Sequence, residues 1–395
     1  MIVSLYRDDL NSQLNGIQVS EIRQFDEVAS SIPDILKLTL GEPDFNVPTH
    51  VQLAAKKAID NNFSHYTTNA GIPELRQAAA NFQNQKYGLH YQANNVITTV
   101  GASEAIAAAL TAILNPGDGV LIPAPIYSAY SPLIALNHGV EVRINTRTNN
   151  FVLTPELVET AVQAHPELQF KAIVLNYPNN PTGITYRKNE LEKLIAVFQK
   201  YHLWVISDEI YSELTYGEQH TSIATLIPEQ TILISGLSKS HAMTGWRLGF
   251  IFADVALIEQ IKKVHQYLVT SATSIVQKAG VEALTNGADD GLKMAKEYVQ
   301  RRDYVYREMT SMGFEIARPD GAFYIFAKIP AEFNQDSMAF CQDLAHKNHL
   351  ALIPGHAFGT EGEGYVRLSY AADMARLHEA MKRLRAYMTD STNKN

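Results

Sequence analysis

Seven short runs rich in β-branched residues recur through the middle of the chain, at Val96–Val100, Val120–Pro123, Val140–Ile144, Ala172–Leu175, Trp204–Ser207, Ile232–Ser235 and Arg247–Phe252. Each of the first six is followed by a turn signal and a helical or polar stretch. The strongest turns are Pro116-Gly117-Asp118-Gly119 and Pro178-Asn179-Asn180-Pro181-Thr182-Gly183. Parallel strands cannot be joined by a tight hairpin; they need a crossover, usually a helix. The alternation therefore predicts an α/β fold with a mostly parallel seven-stranded sheet flanked by helices. From about Ala253 the pattern turns helical, with a long helix near Asp290–Met312. Strands at Ala322–Phe326, Leu350–Ile353 and Tyr365–Leu368 and a helix at Asp373–Tyr387 follow, which reads as a smaller α+β domain. The expected division is an N-terminal arm and part of the small domain over 1–44, a large domain over 45–286 and a small C-terminal domain over 287–395.

Composition narrows the function. The 33 Lys and Arg against 41 Asp and Glu give a net charge of −8, and no segment forms the basic stripe that a nucleic-acid binder uses to neutralise phosphates. Cys341 is the single cysteine, so no intrachain disulfide forms, as fits a reducing compartment. The N-terminus carries Arg7, Asp8 and Asp9 without an apolar core of signal-peptide length, and the longest apolar run, Ala105–Leu114, is about half a membrane span. A cytoplasmic protein with small-molecule partners, and no membrane or nucleic acid, is expected.

The most informative stretch runs Ser235-Gly236-Leu237-Ser238-Lys239-Ser240-His241-Ala242-Met243-Thr244-Gly245-Trp246-Arg247-Leu248-Gly249. It places a lysine among hydroxyl residues where an apolar strand ends, with an arginine between two glycines downstream. A solvated loop lysine is the ordinary outcome. Open α/β sheets, however, bind ligands outside the carboxyl ends of their strands. A lysine desolvated there beside other cations has a lowered pKa and attacks carbonyls. Ser238 and Arg247 then read as anion ligands, the guanidinium fork suiting a phosphate. In Trp204-Val205-Ile206-Ser207-Asp208-Glu209-Ile210-Tyr211 a carboxylate follows a strand. A helical turn beginning at Asp208 puts Tyr211 on the same face, and a plain N-cap is the structural alternative for Asp208. The run Thr98-Thr99-Val100-Gly101-Ala102-Ser103 leads into a helix over Glu104–Leu114. Free N–H groups at such a start bind anions; capping by Ser103 explains the same residues, and Glu104 repels an anion if it faces one.

Together these elements describe a ligand with a phosphate, an aldehyde and a basic ring nitrogen. With Tyr177-Pro178-Asn179-Asn180-Pro181-Thr182-Gly183, they resemble the signature segments of the class I aminotransferases, pyridoxal 5'-phosphate enzymes of the fold-type-I, aspartate aminotransferase fold. The resemblance extends from about Gly41-Glu42-Pro43-Asp44-Phe45 to Tyr365-Val366-Arg367-Leu368-Ser369-Tyr370, nearly the whole chain. It implies that Lys239 binds the cofactor aldehyde and Asp208 partners the ring nitrogen. Tyr211 and Asn180 would meet the phenolic oxygen and Tyr127 would stack on the ring. Gly101, Ala102, Ser103, Ser238 and Arg247 would hold the phosphate. Tyr66 matches a tyrosine that reaches the neighbouring subunit's phosphate, which implies a homodimer. Gly236 departs from the pattern, since many relatives carry serine there, and Ser235 is the candidate replacement. Ala124-Pro125 and Asn180-Pro181 match positions where relatives carry cis peptides.

Arg367 alternates with Val366 and Leu368 along a strand, and a buried arginine needs a carboxylate. A structural salt bridge would supply one; the resemblance supplies it from the α-carboxylate of a substrate held by Arg367, with Gly41 and Asn180 beside it. Gly359-Thr360-Glu361-Gly362-Glu363-Gly364 lacks dinucleotide-binding context, and the 13 histidines form no ligand pattern, so no metal is expected. The resemblance implies a transaminase moving an amino group from an amino acid to a 2-oxo acid such as 2-oxoglutarate. The arm, Val19–Phe25 and Ile32–Gly41, looks like that of aromatic amino acid aminotransferases and also resembles N-acetyl-diaminopimelate and some aspartate aminotransferases. Ile17, Tyr66 and Tyr127 are available to line an apolar pocket. Arg23 is the nearest candidate for a second cation, with a helix-surface role as its alternative. A C–S β-lyase on the same scaffold is the close rival; a non-catalytic cofactor-binding regulator lacks room for a DNA-binding module.

Overall fold

The computed structural model describes residues 10–390; residues 1–9 of the expected arm and 391–395 lie outside the described residues. The chain opens with α1 (Glu21–Ser30), β1 (Leu36–Lys37), α2 (Thr49–Asp60) and α3 (Pro73–Tyr87). The repeating units follow: β2 (Val96–Thr99), α4 (Gly101–Ile113), β3 (Gly119–Ala124), α5 (Tyr130–Leu136), β4 (Val140–Asn145), α6 (Pro155–Ala164), β5 (Phe170–Asn176), α7 (Lys188–Lys200), β6 (Trp204–Asp208), β7 (Thr231–Gly236), α8 (Leu237–Ser240) and β8 (Gly249–Phe252). These strands form one sheet in the order β2-β8-β7-β6-β5-β3-β4. Every pairing is parallel except those of β8, which runs antiparallel to β2 and to β7.

Period-two alternation explains why both faces are covered. Ile232 and Ile234 pack with α4 and α9 (Val255–Val269), while Leu233 between them packs on the opposite face with α2, α3 and α10 (Ser274–Thr285). Burying each such side chain contributes about 1.5–3 kcal/mol. No helix among the described residues is long and apolar enough to cross a membrane.

After α11 (Asp290–Ser311) come β9 (Glu315–Ile316), β10 (Tyr324–Lys328), α12 (Ser337–Asn348), β11 (Leu350–Ala351), β12 (Ile353–Pro354), β13 (Tyr365–Ser369) and α13 (Met374–Thr389). A four-stranded sheet, β12-β13-β10-β9, carries this smaller body. The arm joins it: β1 pairs in parallel with β11, and Phe25, Ala29 and Leu38 enter its core. The expected strand at 350–353 splits in two because its halves serve different sheets, and the one expected at 322–326 lies two residues later. Two-residue strands such as β1 and β9 leave no readable period in the sequence.

Three local expectations are corrected. Arg247 stands outside β8 in a left-handed conformation, φ 55°, so its side chain leaves the sheet. Asp208 is the last residue of β6 rather than a helix N-cap, with the N–H of Ile210 closing a turn on its Oδ1 at 3.2 Å. α4 begins at Gly101, so Ser103 lies inside its first turn and caps nothing. Peptides Ala124–Pro125 and Asn180–Pro181 are cis, as is Tyr177–Pro178.

β8 and the start of α4 touch backbone to backbone. A Cβ on Gly249 would lie 2.5 Å from the Gly101 carbonyl carbon and 2.7 Å from the Ala102 nitrogen, where no flexible side chain can yield. Gly249→Ala is therefore expected to destabilise the protein by about 1–3 kcal/mol, read as a lower urea midpoint. An unchanged midpoint would contradict the close approach.

Candidate active site

One cavity of about 630 Å³ opens where the carboxyl ends of the parallel strands meet the arm and the smaller body. Its lining includes Gly41, Ala102, Ser103, Tyr127, Asn180, Asp208, Tyr211, Ser238, Lys239, Arg247 and Arg367. Gly101 contributes from behind: a Cβ there would strike the Arg247 guanidinium, so that cation lies directly against the start of α4.

Lys239 follows β7 on the short helix α8, and its Nζ donates to the Gly41 carbonyl at 2.5 Å. Burial pushes its pKa down to about 8, and the positive charges of Arg247 and Arg367 act in the same direction against Glu42 and Asp208. Asp208 is 4% exposed. It accepts from the Tyr130 hydroxyl at 2.6 Å, and burial raises its carboxyl to about 6 although that hydrogen bond opposes the shift. The Tyr211 hydroxyl pairs with that of Tyr324 at 2.7 Å. Behind Asp208, the buried Glu209 accepts from Tyr177, Ser207 and Ser222 and pairs with His220, tying the loops after β5 and β6 together.

Arg367 on β13 is 2% exposed. It donates to Asn180 Oδ1 at 2.9 Å and to the Thr39 carbonyl, and its Nε has no partner. No acidic side chain among the described residues pairs with it. The structural salt bridge that would have explained it is absent, which leaves a buried guanidinium facing a cavity.

Two sequence candidates lie elsewhere. Ser235 points to the other face of the sheet, where it accepts weakly from Gln83 at 3.4 Å; it does not line the cavity and cannot replace a contact there. Strand alternation accounts for this, because Ser235 follows Leu233 by two residues in β7 and so shares its face, towards α3. Gly236 has no room for a serine, since a Cβ would meet the Leu248 carbonyl at 2.9 Å. Tyr66 is 87% exposed and touches nothing in its own chain's cavity. The sequence reading missed Tyr130, Tyr324, Thr39 and Glu42. Tyr130 follows Tyr127 by three residues in a segment with no strand or turn signal of its own, and Tyr324 reads as ordinary core.

The chemistry of this donor set defines a class before any comparison is made. A poised amine, a buried carboxylate, an arginine at a helix start and a second arginine awaiting an anion suit an enzyme that captures a phosphorylated aldehyde cofactor and a carboxylate substrate. The chain belongs to the family of class I and II aminotransferases, whose pattern matches residues 33–384. It is 47% identical over 96% of its length, and 95% of the other chain, to a probable N-acetyl-LL-diaminopimelate aminotransferase of Bacillus subtilis. It is 36% identical to aromatic-amino-acid aminotransferase 2 of Thermococcus litoralis, over 95% and 97% of the two chains. The fold superposes on Thermus thermophilus aspartate aminotransferase with maleate at a TM-score of 0.89, 34% identity and 95% and 99% coverage. The protein is thus a transaminase of the aspartate aminotransferase fold and uses pyridoxal 5'-phosphate, for which the cavity has the residues. Among the described residues no cluster could hold a metal.

An amine titrating near 8 is about one-tenth neutral at pH 7. Capture of pyridoxal by the cofactor-free enzyme should quicken about tenfold from pH 6 to 7 and level off above roughly pH 9, as followed by stopped-flow absorbance. A rise continuing unchecked to pH 10 would mean that burial has not lowered the Lys239 pKa.

Proposed function

We propose that the protein transfers the amino group of an aromatic amino acid to a 2-oxo acid such as 2-oxoglutarate, acting in the cytoplasm as a homodimer in amino acid metabolism. The arm at 1–44, large domain at 45–286 and small domain at 287–395 are the units of this reading. The observation that carries it is the apolar share of the lining of the cavity that holds Arg367. Ile22, Leu40, Ile106 and Tyr127 offer apolar surface for a ring, and Arg23 is, among the described residues, the one basic side chain the arm adds to the cavity lining. A planar guanidinium serves both substrates of such a reaction, because it stacks on aromatic faces and grips carboxylates bidentately. Ile17 and Tyr66, expected in the pocket, do not line it within the described chain.

Bound pyridoxal 5'-phosphate supplies an electron sink for the substrate's α-carbon. In this reading Asp208 would partner the ring nitrogen, Asn180 and Tyr211 would hydrogen-bond the phenolic oxygen, and Tyr127 would stack on the ring. Gly101, Ala102, Ser103, Ser238 and Arg247 would hold the phosphate together with the partner subunit's Tyr66. Arg367 binds the substrate α-carboxylate. The neutral Lys239 amine would take the proton from the substrate α-carbon as base and, as its ammonium, would deliver it to the cofactor's former aldehyde carbon as acid.

A second reading rests on the Bacillus relative: Arg23 would equally serve a distal carboxylate on an acetylated diamino acid. Values of kcat/KM for phenylalanine, tyrosine, aspartate and N-acetyl-diaminopimelate decide between them. The aromatic substrates should lead, and Arg23→Ala should raise KM for 2-oxoglutarate more than for phenylalanine. A preference above tenfold for aspartate or the acetylated diamine, about 1.4 kcal/mol in transition-state binding, would overturn the aromatic assignment. Release of ammonia and pyruvate from a cysteine conjugate at a higher rate than transamination would favour the lyase.

The exposed Tyr66 has no role in a lone chain, so sedimentation should show a dimer, and Tyr66→Phe should weaken cofactor retention about tenfold. A monomer with full activity would sink the homodimer.

A further inference from the structure

The start of α4 contains an acid ill suited to an anion site. Glu104 lies in its first turn, where a carboxylate competes with a bound anion for the helix dipole. The structure turns it aside: Oε2 accepts the Val100 N–H, and Oε1 meets His265 Nδ1 at 2.6 Å. His265, on α9, is fully buried, and its Nε2 lies 2.8 Å from the Asn69 carbonyl. A carbonyl only accepts, so Nε2 carries a proton, and one more proton lies between Nδ1 and Oε1. Wherever that second proton sits, the pair carries no net charge. Neither residue lines the cavity. Asn69 follows Tyr66 by three residues, and its amide donates to the Thr270 carbonyl, so the same histidine fastens the loop that bears Tyr66.

We propose that His265 is a positioning residue for the phosphate site, an inference that rests on the placement of the phosphate at the start of α4 proposed above. By sharing a proton with Glu104 it cancels the acidic charge in the first turn of α4 and keeps that carboxylate on Val100, away from the N–H groups of Ala102 and Ser103. The effect is on the phosphate and not on the rest of the cofactor, which makes it separable from a general loss of packing.

The test compares pyridoxal 5'-phosphate with pyridoxal, binding each to the full-length enzyme stripped of cofactor and following absorbance or tyrosine fluorescence. In His265→Ala, affinity for pyridoxal 5'-phosphate should fall tenfold or more while that for pyridoxal stays within threefold. Adding Glu104→Gln should restore the phosphate ester to within threefold of the parent. Equal losses for the two ligands, or no rescue by Glu104→Gln, would overturn the proposal. Glu104→Gln alone keeps the His265 ring in place and covers the case in which His265→Ala does not fold. Its ratio of the two affinities should stay within threefold of the parent, and a tenfold change in either direction would overturn charge cancellation.

Discussion

Arg367 is held by the side chain of Asn180 and the carbonyl of Thr39, with the rings of Tyr324 and Phe358 at 4.6 and 4.8 Å and no carboxylate paired with it among the described residues. Leaving a buried charge unpaired costs several kcal/mol, so the fold stores a demand for an anion at this point. Its polar contacts come from two other parts of the chain, the loop after β5 and the arm. The guanidinium therefore joins the large sheet, the arm and the smaller body around one cavity.

The same cation shapes the reactivity of its neighbours. Arg367 and Arg247 both press the Lys239 pKa downward, adding to burial. Asp208 responds in the opposite sense, raised by burial and held by Tyr130. A lysine and an aspartate with pKa values of about 8 and about 6 can both change protonation near neutrality, a property neither has in water. A cation bound beside Asp208 would return it to its ionised form, since an opposite charge offsets the burial penalty.

Much of this was readable from residue order. The seven strands of the sheet appear at nearly the positions that β-branched runs mark, because a parallel strand buried on both faces must be apolar along its length. Lys239, Asp208 and Arg247 stand out because each interrupts or follows such a strand with a polar group. The errors were local. Arg247 looked like part of β8, since it abuts the strand's apolar run, and its left-handed turn at φ 55° occurs at a non-glycine residue that carries no turn signal. Ser235 looked like a phosphate ligand because it neighbours the lysine segment, yet strand alternation sends it to Gln83 on the far face.

The sequence by itself determined the layer architecture, the strand-end location of the cavity and which polar side chains stand at those strand ends, since these follow from periodicity and from side-chain types that apolar strands do not tolerate casually. Only the tertiary structure decided which groups meet. Tyr130 reaches Asp208 across 78 positions of sequence, His265 reaches Glu104 across 161, and Arg367 reaches Asn180 across 187. Separations of that size leave no periodic trace, because the pairing is set by how strands order themselves in the sheet and by how the arm and the smaller body close over its edge. The charge state of the site belongs to the same level, for burial and distance between charges exist only once the chain has folded.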